Sequence, residues 1–381
     1  MSLILTLNAG SSSLKFALFE AGETPERRAW GQVERIGEDA CLQVEDDSGQ
    51  QHKSELGDDC STSQALDAVL EALDDFGPPD IVGHRIVHGG DDFVEPTRID
   101  RAVLSALEEL DSLAPLHQPN NLAAIHHFFE IAPDLTQVGA FDTAFHADMP
   151  QVARRTGLPR QFHERGIRRY GFHGLSYEHA AGEMARLEPE ASRVIVAHLG
   201  NGASLCALRD GRSVETTMGF SALDGLLMGT RCGSLDPGIL LHLLGVEGMA
   251  VADLQDLLYK QSGLLGVSGT SHDVRELLAA DDEDARLAIE LFVYRAIQKF
   301  GALYAVLGGL DALVFTGGIG EHAAAIRRAI AEGLAWTGLE LDRQANDGHA
   351  AVLHTGSSRL SCRIIRCDEE QVLANACVSL I

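Results

Sequence analysis

Two stretches of this chain repeat a pattern that few folds accommodate: an apolar run, a break rich in small residues, and a second run that returns with alternating polarity. The first is LILTLNAGSSSLKFALFE, where Leu3 to Leu7 give way to Asn8, Ala9, Gly10 and three serines before alternation resumes from Leu14 to Phe19. The second is RVIVAHLGNGASLCALRDGRSVE, beginning at Arg193. Each reads as a β-hairpin with a polar, glycine-containing tip. Small residues let backbone N–H groups and hydroxyls approach an anion closely, so the first tip, with Lys15 adding charge, is either an ordinary Gly/Ser turn or a phosphate cradle. It is not a Walker loop, which requires GxxxxGK[ST] running from a strand into a helix. Two such hairpins, each opening a half of similar size, imply a duplicated α/β domain with a cleft between the copies. The boundary is expected near Asp142, before the proline- and arginine-rich stretch Met149 to Arg169.

A chain of 381 residues suits two domains, each able to bury a substantial interior. Its apolar runs are too short to cross a bilayer, and its start lacks a basic region followed by a cleavable apolar segment, which points to the cytoplasm. Seven cysteines are scattered without CxxC spacing, the pattern of reduced thiols rather than of a disulfide frame or a zinc site. The net charge of -26 argues against nucleic acid or an anionic membrane as partner. If so acidic a chain handles anionic substrates, it must gather its arginines locally.

A third glycine-rich tip occurs in DALVFTGGIGEHAAAIRRAI, which reads as strand, glycine turn and helix, placing free N–H groups and a helix N-terminus where a nucleotide could sit. The helix Arg286 to Leu307 leads into it, behind the acidic run AADDEDAR, a solvated loop or helix entry. Arg85 in GHRIVHGG and Arg231 in LMGTRCGSLDPG stand among glycines and apolar residues, so each either forms a structural ion pair or awaits an anionic ligand. Asp142 closes an apolar strand as a helix cap or a cleft carboxylate. His173, in RRYGFHGLSYEH, precedes Gly174 and a helix expected to be capped at Ser176; a histidine there is a satisfied turn residue or a functional group. Arginines, a histidine and acidic residues around glycine turns fit phosphoryl transfer, which is mostly positioning and charge neutralisation. GxSxG and HExxH are absent, which removes support for hydrolase and metalloprotease chemistry.

NAGSSSLKF, GHRIVHGG, APLHQPNNL, FDTAFH, RRYGFHG, HLGNGAS, MGTRCGSLDPG, GGIGE and the late DEE, in this order over nearly the whole chain, closely resemble the acetate kinases. The resemblance implies two ribonuclease H-like domains of the actin, sugar kinase and heat-shock ATPase superfamily, residues 1–142 completed by 370–381 and residues 143–369, with an interdomain nucleotide cleft. It implies reversible in-line transfer of the ATP γ-phosphoryl group to acetate, giving acetyl phosphate and ADP, with Mg²⁺ or alternatively Mn²⁺, in a homodimer. Position by position, Asn8 and Glu369 would hold the metal, and Ser11, Ser13 and Lys15 would form the phosphate-facing hairpin. Arg85 and Arg231 would bind the carboxylate and the moving phosphoryl, His173 would donate to its oxygens, and Asp142 would orient the substrate or its charge partners. His198, Leu199, Gly200, Asn201 and Gly202, then Asp273, Val274 and Arg275, then Gly318, Ile319, Gly320, Glu321 and His322 fall on the nucleotide side. Val87, Leu116, Phe172 and Ala222 would line the carboxylate pocket, and His117 would support it.

The chain departs from the family at His322 (usually Asn), Tyr177 (commonly His), Ser234 (usually Asp) and Ala222 (usually Pro), the last of which leaves the acid's chain length open. A propionate kinase or a dual acetate/propionate kinase is therefore the alternative within the class. From another class, an actin-like or chaperone-like ATPase would hydrolyse ATP without an acyl acceptor.

Overall fold

In a computed structural model, which describes residues 2–10, 12–115 and 117–381, the chain divides into two compact units, residues 1–147 with 368–381 and residues 148–367. The expectations for Ser11 and Leu116 lie outside the described residues. The first unit contains β1 (Leu3–Ala9), β2 (Ser13–Glu20), β3 (Glu26–Glu34), β4 (Ala40–Asp46), β5 (Gln51–Gly57), β6 (Ile81–Ile86), β7 (Thr97–Arg98) and β8 (Thr136–Phe141), in one sheet of order β5-β4-β3-β2-β1-β6-β8-β7. The second contains β9 (Arg193–Leu199), β10 (Ala203–Arg209), β11 (Arg212–Thr216), β12 (Ala312–Thr316) and β13 (Ser361–Ile364), in order β11-β10-β9-β12-β13.

The duplication is visible in the pairing. In each unit a hairpin opens the sheet, a third antiparallel strand extends it on one side, and two strands parallel to the hairpin's first strand extend it on the other. The first unit adds β4 and β5 at one edge and β7 at the other. The central strands read as unbroken apolar runs because both faces are covered. Leu5, Leu7, Leu14, Phe16 and Leu18 enter a core with Leu66, Val69 and Phe128, while Ile4, Ala17 and Phe19 face Ala374 and Cys377 of the C-terminal helix Glu369–Val378. That helix packs so closely on β6 that a Cβ on Gly83 would lie 2.7 Å from Cys377 Sγ. In the second unit, every residue of β12 is buried. The long helix Glu283–Leu307 packs on β10, starting at an Asp282 cap and ending at Gly308, whose φ of 70° suits glycine.

No helix among the described residues is long and apolar enough to cross a membrane. All seven cysteines are free, and burial pushes the thiols of Cys206, Cys362 and Cys377 up to about 12.

Candidate active site

Period-2 geometry assembles the first group. Even-numbered residues of β1 share a face with odd-numbered residues of β6 and even-numbered residues of β8, the face that the helix Glu369–Val378 covers. Three polar residues, Asn8, Arg85 and Asp142, stand on that face at the carboxyl ends of three mutually parallel strands, where open α/β sheets place ligands. Arg85 grips Asp142 with both ends of its fork, Nε to Oδ1 at 3.0 Å and Nη2 to Oδ2 at 2.5 Å, and donates through Nη1 to Asn8 Oδ1 at 2.8 Å. Asn8 donates in turn from Nδ2 to Glu369 Oε2 at 2.8 Å, which lies 3.7 Å from Arg85 Nε. Asp142 is 1 % exposed and Glu369 is 8 % exposed, so this is a pre-oriented charge network with little water. Arg85 is thus ion-paired, the first of its two readings, and stands among candidate site residues. Glu369 sits in the first turn of its helix, where the dipole favours a carboxylate, while Asp368 is the cap and accepts from Gln371 N–H.

The strands alone do not hold this group. Asn121 accepts from Val87 N–H and donates to the Ala9 carbonyl, and Gln118 accepts from His88 N–H and donates to its carbonyl. Both come from the helix Gln118–Ile131, fully inserted beneath the β6 end, with His117 just before it. Sequence reasoning treated APLHQPNN as one supporting histidine and missed these two amides; polar residues in the first turn of an otherwise apolar helix were the available signal. Ser13 begins β2, and its carbonyl accepts from Gly10 N–H to close the tip. Lys15 pairs with Asn8 in the hairpin register but is exposed and forms no ion pair among the described residues, opening onto a hollow of about 520 Å³ with Arg27, Trp30 and Lys53.

In the second unit the helix Gly174–Leu187 begins three residues earlier than a cap at Ser176 would place it. His173 is its first flanking residue, in the left-handed region at φ 60°, so Ser176 lies within the helix rather than capping it. The Ser176 hydroxyl instead meets His198 Nδ1 at 2.8 Å, and Ser204 Oγ meets His173 Nδ1 at 2.8 Å. The two imidazoles stack, with centroids 4.3 Å apart. Gly202 lies against this corner: a Cβ there would sit 3.3 Å from His173 Nε2 and 3.9 Å from Arg231 Nη1. His173 and Arg231 therefore converge on one small opening. Arg231 Nη1 donates to the Ala222 carbonyl at 3.0 Å, and Gly263, whose Cβ would strike the Met228 carbonyl and the Arg231 backbone, lets two loops meet behind it. Phe172 is buried next to His173, Val87 is buried in the first unit, and Ser234 donates to Asp224 while accepting from Lys299.

Beside this corner a cavity of about 620 Å³ is lined by Gly200, Asn201, Asp273, Val274, Arg275, Gly318, Ile319 and His322, together with His272 and Leu278. Cavities of this size take small organic ligands. Its glycine turn is the helix Gly317–His322, starting at a φ of 78° where a Cβ on Gly317 would lie 2.8 Å from the Leu199 carbonyl. Several residues expected on this side also have contacts of their own within the fold. Leu199 is buried in the core, Gly320 is buried, and Glu321 Oε1 accepts from the N–H groups of Gly317 and Cys367. Asp273 caps the helix Val274–Ala279 and holds Arg275, whose hydrogen bond keeps the Asp273 carboxyl below its usual range. Arg327 was missed: wholly buried, it donates to the carbonyls of Gly320, Glu321 and Asn346, to Asn346 Oδ1 and to His349 Nδ1, fixing the turn from behind.

Comparison with known proteins gives a consistent result. The acetokinase family matches residues 3–375. An acetate kinase of Rhodopseudomonas palustris (strain TIE-1) is 47% identical over 384 residues, covering 98% of this chain and 96% of that protein. An acetate kinase of Rhizobium meliloti is 46% identical over 390 residues, covering 100% and 99%. Among solved structures, a propionate kinase from Francisella tularensis superposes with a TM-score of 0.92 at 37% identity, covering 99% of each chain. The Porphyromonas gingivalis acetate kinase gives 0.87 at 36% identity, covering 100% of each.

Proposed function

The chain belongs to the acetokinase family, and on that premise we propose that it transfers the γ-phosphoryl group of ATP reversibly to acetate, giving acetyl phosphate and ADP. The observation that carries this reading is the turn Gly200–Gly202, which lines the nucleotide-sized cavity and, one residue on, forms the opening flanked by His173 and Arg231. A nucleotide seated in that cavity would present its terminal phosphate to an imidazole and a guanidinium.

In the reaction a carboxylate oxygen forms a bond to the γ-phosphorus as the bond to the β,γ-bridging oxygen breaks, and ADP leaves with the electron pair. Two anions must approach each other, so the protein's task is to neutralise charge spread over the phosphoryl oxygens. Arg231 and His173 donate to those oxygens, while Arg85, already oriented by Asp142 and Asn8, offers a guanidinium that need not reorganise. Val87, Phe172 and Ala222 are assigned to the acid's apolar end. Glu369 and Asn8 fit a hard cation: Glu369 is an almost buried carboxylate, and Asn8, whose Nδ2 donates to it, also carries an amide oxygen, which accepts from Arg85; oxygen donors of this kind are what Mg²⁺ accepts. Bound there, Mg²⁺ or Mn²⁺ would neutralise phosphate charge and orient the nucleotide.

Use of propionate beside acetate is favoured by Ala222, a small residue whose carbonyl is the one Arg231 engages. A coupled assay with ATP, Mg²⁺ and a panel of short acids, trapping the acyl phosphate with hydroxylamine, tests both. Acid-dependent hydroxamate supports a carboxylate kinase, whereas ATP hydrolysis indifferent to the acid would replace it with an ATPase.

The assembly we propose is a homodimer. None of the helix Pro237–Gly245 is buried although its sequence is PGILLHLLG, and Ile239, Leu241, Leu244, Val246 and Val251 are all exposed. An apolar face of this kind in an acidic protein needs a cover, and symmetric self-association is the commonest one. Light scattering on wild type and Leu241→Asp decides it, with a monomeric wild type as the contrary result. Seven free thiols support a cytoplasmic location.

A further inference from the structure

The helix Gly174–Leu187 holds both members of the imidazole stack from consecutive residues, Ser176 for His198 and Tyr177, through an intermediary, for His173. The intermediary is Ser204 on β10, whose Oγ lies 2.5 Å from Tyr177 Oη and 2.8 Å from His173 Nδ1. Tyr177 and Ser204 are both 0 % exposed, so water cannot substitute for either hydroxyl. A phenylalanine would fill the space of the Tyr177 ring but lose the hydroxyl's contact to Ser204.

We propose that Tyr177 is a positioning residue which, acting through Ser204, fixes the tautomer and the ring orientation of His173. The proposal rests on the reading of His173 as a donor to the transferred phosphoryl group. A phenol is a stronger donor and a weaker acceptor than an aliphatic hydroxyl, so Tyr177 donates to Ser204 Oγ. Ser204 then has its own proton to give, and it gives it to His173 Nδ1. An imidazole that accepts at Nδ1 carries its proton at Nε2, the nitrogen that faces the Gly202 opening beside Arg231. The stack on His198, tilted by 26°, and the left-handed backbone at residue 173 fix the ring plane, and the hydroxyl chain fixes which edge is the donor. Without the chain either tautomer fits the plane, and one of them turns a lone pair toward the phosphoryl oxygens.

The test compares Tyr177→Phe, Ser204→Ala, the double variant, Ser204→Thr and His173→Asn in the hydroxamate assay and by ¹⁵N NMR of histidine-labelled protein. Because the groups act in series, Ser204→Ala should lower kcat about tenfold and Tyr177→Phe about threefold, with both KM values unchanged. The double variant should be no slower than Ser204→Ala, and Ser204→Thr, which keeps the hydroxyl, should recover most of the rate. The His173 resonances, assigned by their loss in His173→Asn, should report the Nε2–H tautomer in wild type and a mixture in Ser204→Ala. Additive losses in the double variant, or an unchanged tautomer in Ser204→Ala, would overturn the relay. Full activity in His173→Asn would remove the role of His173 and the relay with it, whereas a slow His173→Asn beside a normal Ser204→Ala overturns the relay alone.

Discussion

The two hairpins place their chemistry at the same register position and fill it with opposite physics. One step back from each tip, Asn8 faces Lys15 in the first unit and His198 faces Ser204 in the second. Each sheet is covered there by a helix whose start brings a further polar group, Glu369 on β1 and β6 and His173 on β9 and β12. In the first unit the result is an ionic network of one guanidinium and two nearly buried carboxylates. In the second it is a pair of stacked imidazoles held by hydroxyls, with one arginine bound to a carbonyl. The topology fixes where the groups go, and the residue types decide whether removing one leaves a charge stranded.

That difference can be broken most directly with the two arginines. Arg85→Ala and Arg231→Ala should each lower kcat/KM by on the order of a hundredfold or more. Only Arg85→Ala should also lose about 3 kcal/mol of folding stability, because Asp142 stays buried without its partner. Arg231→Ala gives up a hydrogen bond to a carbonyl and should stay within about 1 kcal/mol of wild type. Equal losses in urea unfolding would show that the units do not differ in this way, and near-normal turnover in either variant would remove that arginine from the site.

A second contrast lies in how each unit keeps a histidine. His84, on β6 beside Arg85 but facing the opposite side, is buried against Phe128 with Nε2 2.9 Å from Gln137 Oε1, and burial lowers its pKa to about 4. The unfolded chain therefore takes up a proton near pH 6.5 that the folded chain refuses, so stability falls as pH drops from there toward 4. Between pH 8 and 5 the loss from this group should be about 2 kcal/mol. His84→Gln should flatten the stability-pH curve by that amount, and parallel curves for the two proteins would contradict it.

The metal assignment is expected to move a binding midpoint. Glu369→Gln should raise the Mg²⁺ concentration for half-maximal activity on the order of tenfold, while Glu370→Gln, whose carboxyl burial already pushes up, should change it little. Equal magnesium profiles for wild type and Glu369→Gln would take the ion away from this carboxylate. The smallest effect belongs to the pocket: Ala222→Pro should shift the kcat/KM ratio toward acetate over propionate by about threefold, within what one methylene can supply. An unchanged ratio would mean that position 222 does not set chain length.

Much of this was legible in the sequence because the periodicity and the function coincide. Asn8, Arg85 and Asp142 are the polar ends of apolar strands, and the glycine tips at 200–202 and 317–320 mark close backbone approaches. What stayed hidden depended on partners far along the chain. Nothing local says that Gln118 and Asn121 bond to β6 and Ala9, that Arg327 points inward while Arg328 meets Asp347 outside, or that Ser204 and Tyr177 serve His173. The helix start at residue 174 was misjudged because Ser176 resembles a cap, yet its hydroxyl is used by His198.

The closing helix of the first unit also sets the order in which the protein can be made. Asn8 waits 361 residues for Glu369, so a nascent chain leaving the ribosome carries an uncovered first sheet through synthesis of the entire second unit, which is contiguous and can fold as a block. Ile4, Ala17 and Phe19 stay without their cover until Ala374 and Cys377 emerge. The helix Glu369–Val378 that seals this surface also delivers the carboxylate assigned to the metal, so a chain that stops before residue 369 lacks both, and competence for chemistry arrives only with that helix.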